Sequence, residues 1–262
     1  MKNCLILGSG RSGTSMLAGT LQQSGYYLGD KLHKPEISNP KGFFEWLTIN
    51  QINEQILAPY CKQRLTEKLL STFFKKGTVY NPVGKNQKWV LSLPIEVEVN
   101  KLVPQVETSI QEVVAKEPFC YKDPRFSYTL PVWEKYLKPG TVFICVFREP
   151  DITVNSILKE CRSREYLHSL YINRRMAYSV WLNIYSHILY KHAANFKNII
   201  FVHYDQVFNG TALPMLSEKL EVPLQKDFVD KGLKRTLPGG AVPGKVKNLY
   251  RRLCEAAHYD QK

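Results

Sequence analysis

Apolar residues come along this chain in short blocks separated by longer stretches of helical period. Blocks at 4–7, 88–93, 118–121, 142–147 and 199–203 have the length and side-chain content of buried strands. Between them, apolar positions recur at three- and four-residue spacing over 14–24, 46–58, 96–116, 150–160 and 168–194, which predicts helices. This alternation is that of an α/β protein with a central parallel β-sheet flanked by helices on both faces. Segments 28–42 and 74–86, rich in Gly, Pro, Asn and Lys, read as loops, and no repeat or linker interrupts the pattern. With 262 residues and ordinary apolar content, residues 1–262 are expected to form a single domain.

The first strand block, Cys4-Leu5-Ile6-Leu7, runs into Gly8-Ser9-Gly10-Arg11-Ser12-Gly13-Thr14-Ser15 and then into a helix. A strand feeding a glycine-rich turn that opens a helix is a P-loop-like phosphate cradle. Glycines let the backbone approach the ligand, and the first helical turn presents unpaired N–H groups at the positive end of the dipole. The nucleoside-triphosphate version of this loop ends Gly-Lys-Ser/Thr, with the lysine on the β- and γ-phosphates and the hydroxyl on magnesium. Here Thr14 replaces the lysine, and Arg11 is the only cation of the loop. A guanidinium grips an anion in a planar, bidentate way.

A second constellation closes the block Val142–Phe147. It continues Arg148-Glu149-Pro150, and Ser156 follows eight residues beyond the arginine. Pro150 is suited to open a helix. Arg148 therefore falls at the carboxyl edge of the sheet, where open α/β folds bind ligands. This pair is expected to hold a second phosphate, separate from the one in the first loop.

Charge and cysteine content narrow the setting. The formal net charge is +13, but the 36 Lys and Arg are spread along the chain instead of forming an arm, which disfavours a nucleic-acid partner and suits an acidic small ligand. The first strand block begins too near Met1 for a leader, and no apolar stretch is long enough for a membrane span, so a cytoplasmic protein is expected. The six cysteines have no metal-ligand spacing and read as reduced, mostly buried thiols.

Taken together, these segments resemble the PAPS-dependent sulfotransferases, enzymes that use 3′-phosphoadenosine 5′-phosphosulfate. Arg11-Ser12-Gly13-Thr14-Ser15 is similar to their 5′-phosphosulfate loop, and Arg148 with Ser156 matches the spacing of their 3′-phosphate motif. Asn39-Pro40-Lys41-Gly42-Phe43-Phe44-Glu45 and Lys122-Asp123-Pro124-Arg125 resemble segments of bacterial members, and His203-Tyr204-Asp205-Gln206-Val207 resembles a Tyr-Glu-Asp-Leu element.

The resemblance implies the sulfotransferase fold, PAPS as donor with adenosine 3′,5′-bisphosphate as product, no metal, and transfer to a hydroxyl of a small-molecule acceptor. It assigns donor binding to Gly10, Arg11, Ser12, Gly13, Thr14, Ser15, Arg148 and Ser156, with Arg235 added from the basic loop around 234–245. Arg11 and Lys122 are the expected catalytic cations. A general base is also required, and Glu45, Asp123 and His33 all remain open for it. Tyr60, Tyr166, Tyr171, Tyr178, Trp181 and Tyr185 are candidates to wall the acceptor pocket. The rival reading is a P-loop nucleotide kinase or NTPase with an atypical loop lacking its lysine.

Overall fold

In a computed structural model of the chain, the residues described are 1–36, 39–61, 93, 96–100, 104–163, 172–229, 232 and 240–260. Among them, strands β1 (Cys4–Leu7), β2 (Cys120–Lys122), β3 (Val142–Phe147) and β4 (Ile199–His203) form one sheet in the order β2-β1-β3-β4. Every pairing is parallel: Cys4 aligns with Cys120 on one side and Val142 on the other, and Phe143 aligns with Ile199. All four strands therefore end at the same edge.

Side chains alternate between the two faces of a strand, and each face here has its own core. Leu5, Leu7, Tyr121, Phe143, Cys145 and Phe147 pack with residues of α2 (Leu47–Leu57), α3 (Pro104–Val114), α4 (Phe126–Trp133), α5 (Pro150–Ser163), α6 (Arg174–Ser186) and α9 (Gly244–Ala256). Cys4, Ile6, Cys120, Ile144, Val146 and Val202 pack with α1 (Thr14–Gln23), α7 (Tyr204–Asn209) and α8 (Leu213–Leu220). The sheet is thus covered on both faces, which is why β1 and β3 are apolar at every position. The expected α/β architecture is the observed one.

Several boundaries differ from the sequence reading. The block at 118–121 becomes strand only from Cys120, because Pro118 has no N–H for a ladder and the Phe119 N–H donates to the Asn3 side chain at 3.1 Å. The helix expected over 96–116 is described as a helix only from Pro104, and residues 96–100 are non-helical. Of 88–93 only Leu93 is described, and it lies outside any strand. Helices α4, α7, α8 and α9 carry no counterpart among the predicted elements. Helix α6 continues through a wider π turn, His187–His192. Cys4, Cys120, Cys145 and Cys254 are buried, and Cys61 and Cys161 are partly exposed. Among the described residues no helix is long and apolar enough to cross a membrane.

Candidate functional site

The loop after β1 is held by its neighbours on the sheet edge. Gly8 has φ +125°, and a Cβ there would strike the Val146 carbonyl oxygen, so only glycine lets the chain leave β1 against the end of β3. The Ser9 N–H donates to the Tyr185 hydroxyl at 3.1 Å, and that hydroxyl donates to the Val146 carbonyl at 3.0 Å. Ser12 is fully buried. Its hydroxyl lies 2.5 Å from the Ser9 carbonyl oxygen and 3.2 Å from that of Val146, so the side chain braces the loop from within. Gly10 is exposed at the tip, and Arg11 adopts φ 69°, a left-handed conformation that costs a non-glycine residue about 1 kcal/mol.

Helix α1 starts from Gly13, which has no side chain to cap it. The N–H groups of that first turn are the ones a helix leaves without an internal partner. Gly13 has φ +95°, and a Cβ on it would run into the ring of Tyr204. The absent side chain thus lets Tyr204, the first residue after β4, lie beside the loop. Thr14 is buried, and the Ser15 hydroxyl donates to the Phe43 carbonyl at 3.1 Å while accepting from Asn39 Nδ2 at 3.2 Å. That contact docks residues 39–45 onto α1 and brings Glu45 toward the sheet edge.

Arg148 follows β3. Its guanidinium carbon lies 4.1 Å from the centroid of the Tyr204 ring, a cation–π stack. The side chain is buried, 3.8 Å from Glu149, yet Nε and Nη2 have no hydrogen-bond partner among the described residues. A buried guanidinium lacking acceptors is costly unless something outside the chain supplies them.

Arg11 and Ser156, which the sequence reading assigns to two phosphate positions, touch each other in the structure. Arg11 Nε donates to Ser156 Oγ at 2.9 Å, and Arg11 Nη1 lies 3.2 Å from Glu160, one helical turn further along α5. The cause is geometric: parallel β1 and β3 are adjacent, so the loop after one and the helix after the other start side by side.

The three candidate bases also converge. Lys122, at the end of β2, forms a close ion pair with Glu45 Oε1. The amide of Asn50, on α2, donates from Nδ2 to Asp123 Oδ2 at 2.7 Å and to Glu45 Oε2 at 3.3 Å, while Asn50 Oδ1 lies 2.9 Å from His33 Nε2. Their environments differ. Asp123 is fully buried and also accepts from the Arg125 backbone N–H at 2.8 Å and from Arg125 Nη1 at 3.0 Å. Arg125 in turn pairs with Glu54 at 2.5 Å. Burial works against the Arg125 charge, but the carboxylates of Asp123 and Glu54 outweigh it and hold the guanidinium above its ordinary pKa. Burial raises the Glu54 carboxyl, with Arg125 pulling the other way. The Glu45 side chain keeps 18% of its exposure and His33 is exposed, so both are reachable from solvent.

Tyr178, Trp181 and Tyr185 are buried in the core, and the Tyr178 hydroxyl and Trp181 Nε1 have no hydrogen-bond partner among the described residues. Arg235, Tyr166 and Tyr171 lie outside the described residues. Asn50 and Glu160 were not foreseen, and neither were the contacts of Tyr185 with the loop and of Tyr204 with Arg148. A signal for Asn50 did exist, since it interrupts the buried run Ile49, Ile52, Ile56 on α2.

No family model matches the chain, and no curated protein matches it in sequence. Among solved structures it is similar to the sulfotransferase domain from the curacin biosynthetic pathway, with a TM-score of 0.56 and 17% identity, covering 100% of this chain and 99% of that one. It also matches sulfotransferase STF9 from Mycobacterium avium at a TM-score of 0.46 and 13% identity, covering 100% of this chain and 69% of that one. The first likeness shows the fold, and the chain has a sulfotransferase-like α/β fold with its four strand ends converging on one edge.

Proposed function

We propose that this chain is a sulfotransferase that moves the sulfuryl group of PAPS to a hydroxyl of a small-molecule acceptor. The observation that carries the reading is Arg148, a buried guanidinium on Tyr204 with two nitrogens lacking hydrogen-bond partners among the described residues, placed beside a loop whose helix has no side-chain cap. That is a seat for a ligand with more than one anionic group. In this reading Arg148 and Ser156 take the 3′-phosphate, and Arg11 with the backbone N–H groups of Gly13, Thr14 and Ser15 takes the 5′-phosphosulfate.

In the transfer, the acceptor oxygen bonds to sulfur as the bond from sulfur to the bridging oxygen breaks, and negative charge grows on the oxygen that leaves with the nucleotide. By analogy with phosphoryl transfer, fixed cations and N–H groups aimed at that oxygen lower the barrier. Arg11 and Lys122 are the cations we assign to that oxygen. Of the two carboxylates, Glu45 is the base we assign: it keeps solvent access, whereas Asp123 is fully buried. The proton leaving the acceptor hydroxyl goes to Glu45, with Lys122 beside it compensating the carboxylate charge before transfer.

Calorimetric titration tests the donor assignment. Adenosine 3′,5′-bisphosphate is expected to bind and to raise the melting temperature, while ATP with magnesium does neither. The reverse ranking would establish the kinase or NTPase reading, in which Arg11 serves as a substitute for the loop lysine. Transfer of labelled sulfuryl from PAPS to a panel of hydroxylated metabolites then identifies the acceptor class.

A further inference from the structure

The polar atoms around Asn50 leave its side chain one orientation. Its Nδ2 carries two hydrogens, and both are taken by carboxylates, Asp123 Oδ2 at 2.7 Å and Glu45 Oε2 at 3.3 Å. A flipped amide would aim its oxygen at two carboxylates, so the network assigns Oδ1 to the His33 side. Because Oδ1 only accepts, His33 Nε2, 2.9 Å away, must carry a hydrogen. In the neutral ring the lone pair is then on Nδ1. The backbone adds a second tie, from the His33 N–H to the Glu45 carbonyl at 2.9 Å. Glu45 itself is held at both oxygens, by Lys122 at Oε1 and by Asn50 at Oε2.

We infer that Asn50 is a positioning residue of the transfer site: its amide fixes the Glu45 carboxylate against Lys122 and locks His33 as the Nε2–H tautomer, which leaves Nδ1 as the acceptor of the neutral ring. Asp123 is the anchor of this arrangement. Fully buried and bonded to Arg125, it holds the Asn50 amide in place. The three groups that compete for the role of base are thereby one unit with different tasks. Asp123 orients Asn50, Asn50 orients Glu45 and His33, and only the last two reach solvent. The activity part of this inference rests on the sulfotransferase reading with Glu45 as base. The tautomer part does not.

The test therefore has two arms. Nitrogen-15 NMR of imidazole-labelled protein in mildly alkaline buffer reports the His33 tautomer without any assay of turnover. Wild type is expected to show Nε2–H, and Asn50→Leu to relax to the mixture of an unconstrained imidazole. A wild-type ring in the Nδ1–H form, or a ring unchanged in Asn50→Leu, overturns the inference even if the protein proves to be a sulfotransferase. In the second arm, Asn50→Leu and Asn50→Asp are expected to lower kcat about 10- to 100-fold, as displacement of a reacting group does, with the Kd for adenosine 3′,5′-bisphosphate within about twofold of wild type. Equal kcat in wild type and Asn50→Asp would also overturn it. If the wild type binds no such nucleotide and transfers no sulfuryl group, the proposed function fails, and the NMR arm still decides the role of Asn50.

Discussion

Arg11 Nε donates a hydrogen bond of 2.9 Å to Ser156 Oγ, joining the loop after the first strand to a helix 145 residues later in the chain. A long flexible cation is thereby parked on the neighbouring helix, with Glu160 beside it at 3.2 Å. For Arg11 to meet a sulfuryl group over the loop, it must exchange these partners for the donor. Among the described residues Arg148 faces no such exchange, since two of its nitrogens have no hydrogen bond there to give up. Arg11→Ala is accordingly expected to lower kcat about 100-fold, the cost of removing one donor to a developing anion. Arg148→Ala is expected instead to raise the Kd for adenosine 3′,5′-bisphosphate by about 10- to 100-fold, the worth of a charge-assisted pair. Steady-state kinetics and calorimetry on both variants check the split, and an unaltered Kd in Arg148→Ala removes that residue from the donor site.

Glu160 is a carboxylate at the edge of an anion seat, and its presence calls for a separate expectation. Its side chain is 12% exposed, so its field is only partly screened by water. Glu160→Gln keeps the shape, removes repulsion toward the donor phosphates, and frees Arg11 from its counter-ion. Donor affinity should rise by roughly two- to fivefold, the scale of one partly solvated charge pair, and the gain should shrink as salt is added. Weaker binding in Glu160→Gln would mean that the carboxylate aligns Arg11 for the ligand.

Much of this arrangement was legible from the sequence because it is local. The loop at Gly8–Ser15, the strand Val142–Phe147 and the Arg148-Glu149-Pro150 turn are each set by neighbours in the chain, and their buried strands carry the unbroken apolar runs of a doubly covered sheet. What the sequence left hidden depends on partners far apart. The contact of Arg11 with Ser156 exists only because β1 and β3 are adjacent, an order no single segment encodes. Helix α4 carries Pro131 within it, which argues against a helix locally, but the Asp123 side chain accepts from the Arg125 N–H at its start and the apolar side chains bury almost completely. The base we propose among Glu45, Asp123 and His33 rests on burial, which spacing does not reveal.

Burial predicts opposite outcomes for the two carboxylates. Glu45→Gln should reduce kcat by about 100- to 1,000-fold, within the range for loss of a general base, while leaving the Kd for adenosine 3′,5′-bisphosphate and the melting temperature near wild type. Asp123→Asn removes one of the two carboxylates paired with the buried Arg125 guanidinium and leaves Glu54, a change that costs about 3 kcal/mol, the low end for a broken buried pair. In a chain of this length that corresponds to a fall in melting temperature of roughly 6–12 °C. Thermal melts and kcat measured on the same preparations separate the two. A stable, inactive Asp123→Asn beside an active Glu45→Gln would transfer the base to Asp123.

His192 gives the fold a pH dependence of its own. The ring is buried and its Nε2 lies 2.8 Å from the Ser127 carbonyl oxygen, to which it donates. Burial, with Lys191 adding repulsion, pushes its pKa down to about 4 despite the hydrogen bond to Ser127, which pulls upward. In the unfolded chain the same ring titrates near its ordinary value of about 6.5. The unfolded state thus binds the extra proton between about pH 6.5 and pH 4, so the contribution is fully present above that window and is lost as pH falls through it. From about pH 7 to pH 5 the loss amounts to roughly 2 kcal/mol from this residue. His192→Gln offers an amide N–H for the Ser127 carbonyl and cannot titrate. It is expected to be less stable than wild type at neutral pH through imperfect packing, and to lose about 2 kcal/mol less on acidification. Denaturant unfolding of both proteins at the two pH values measures the difference, and parallel losses in the two would show that other groups carry the acid sensitivity.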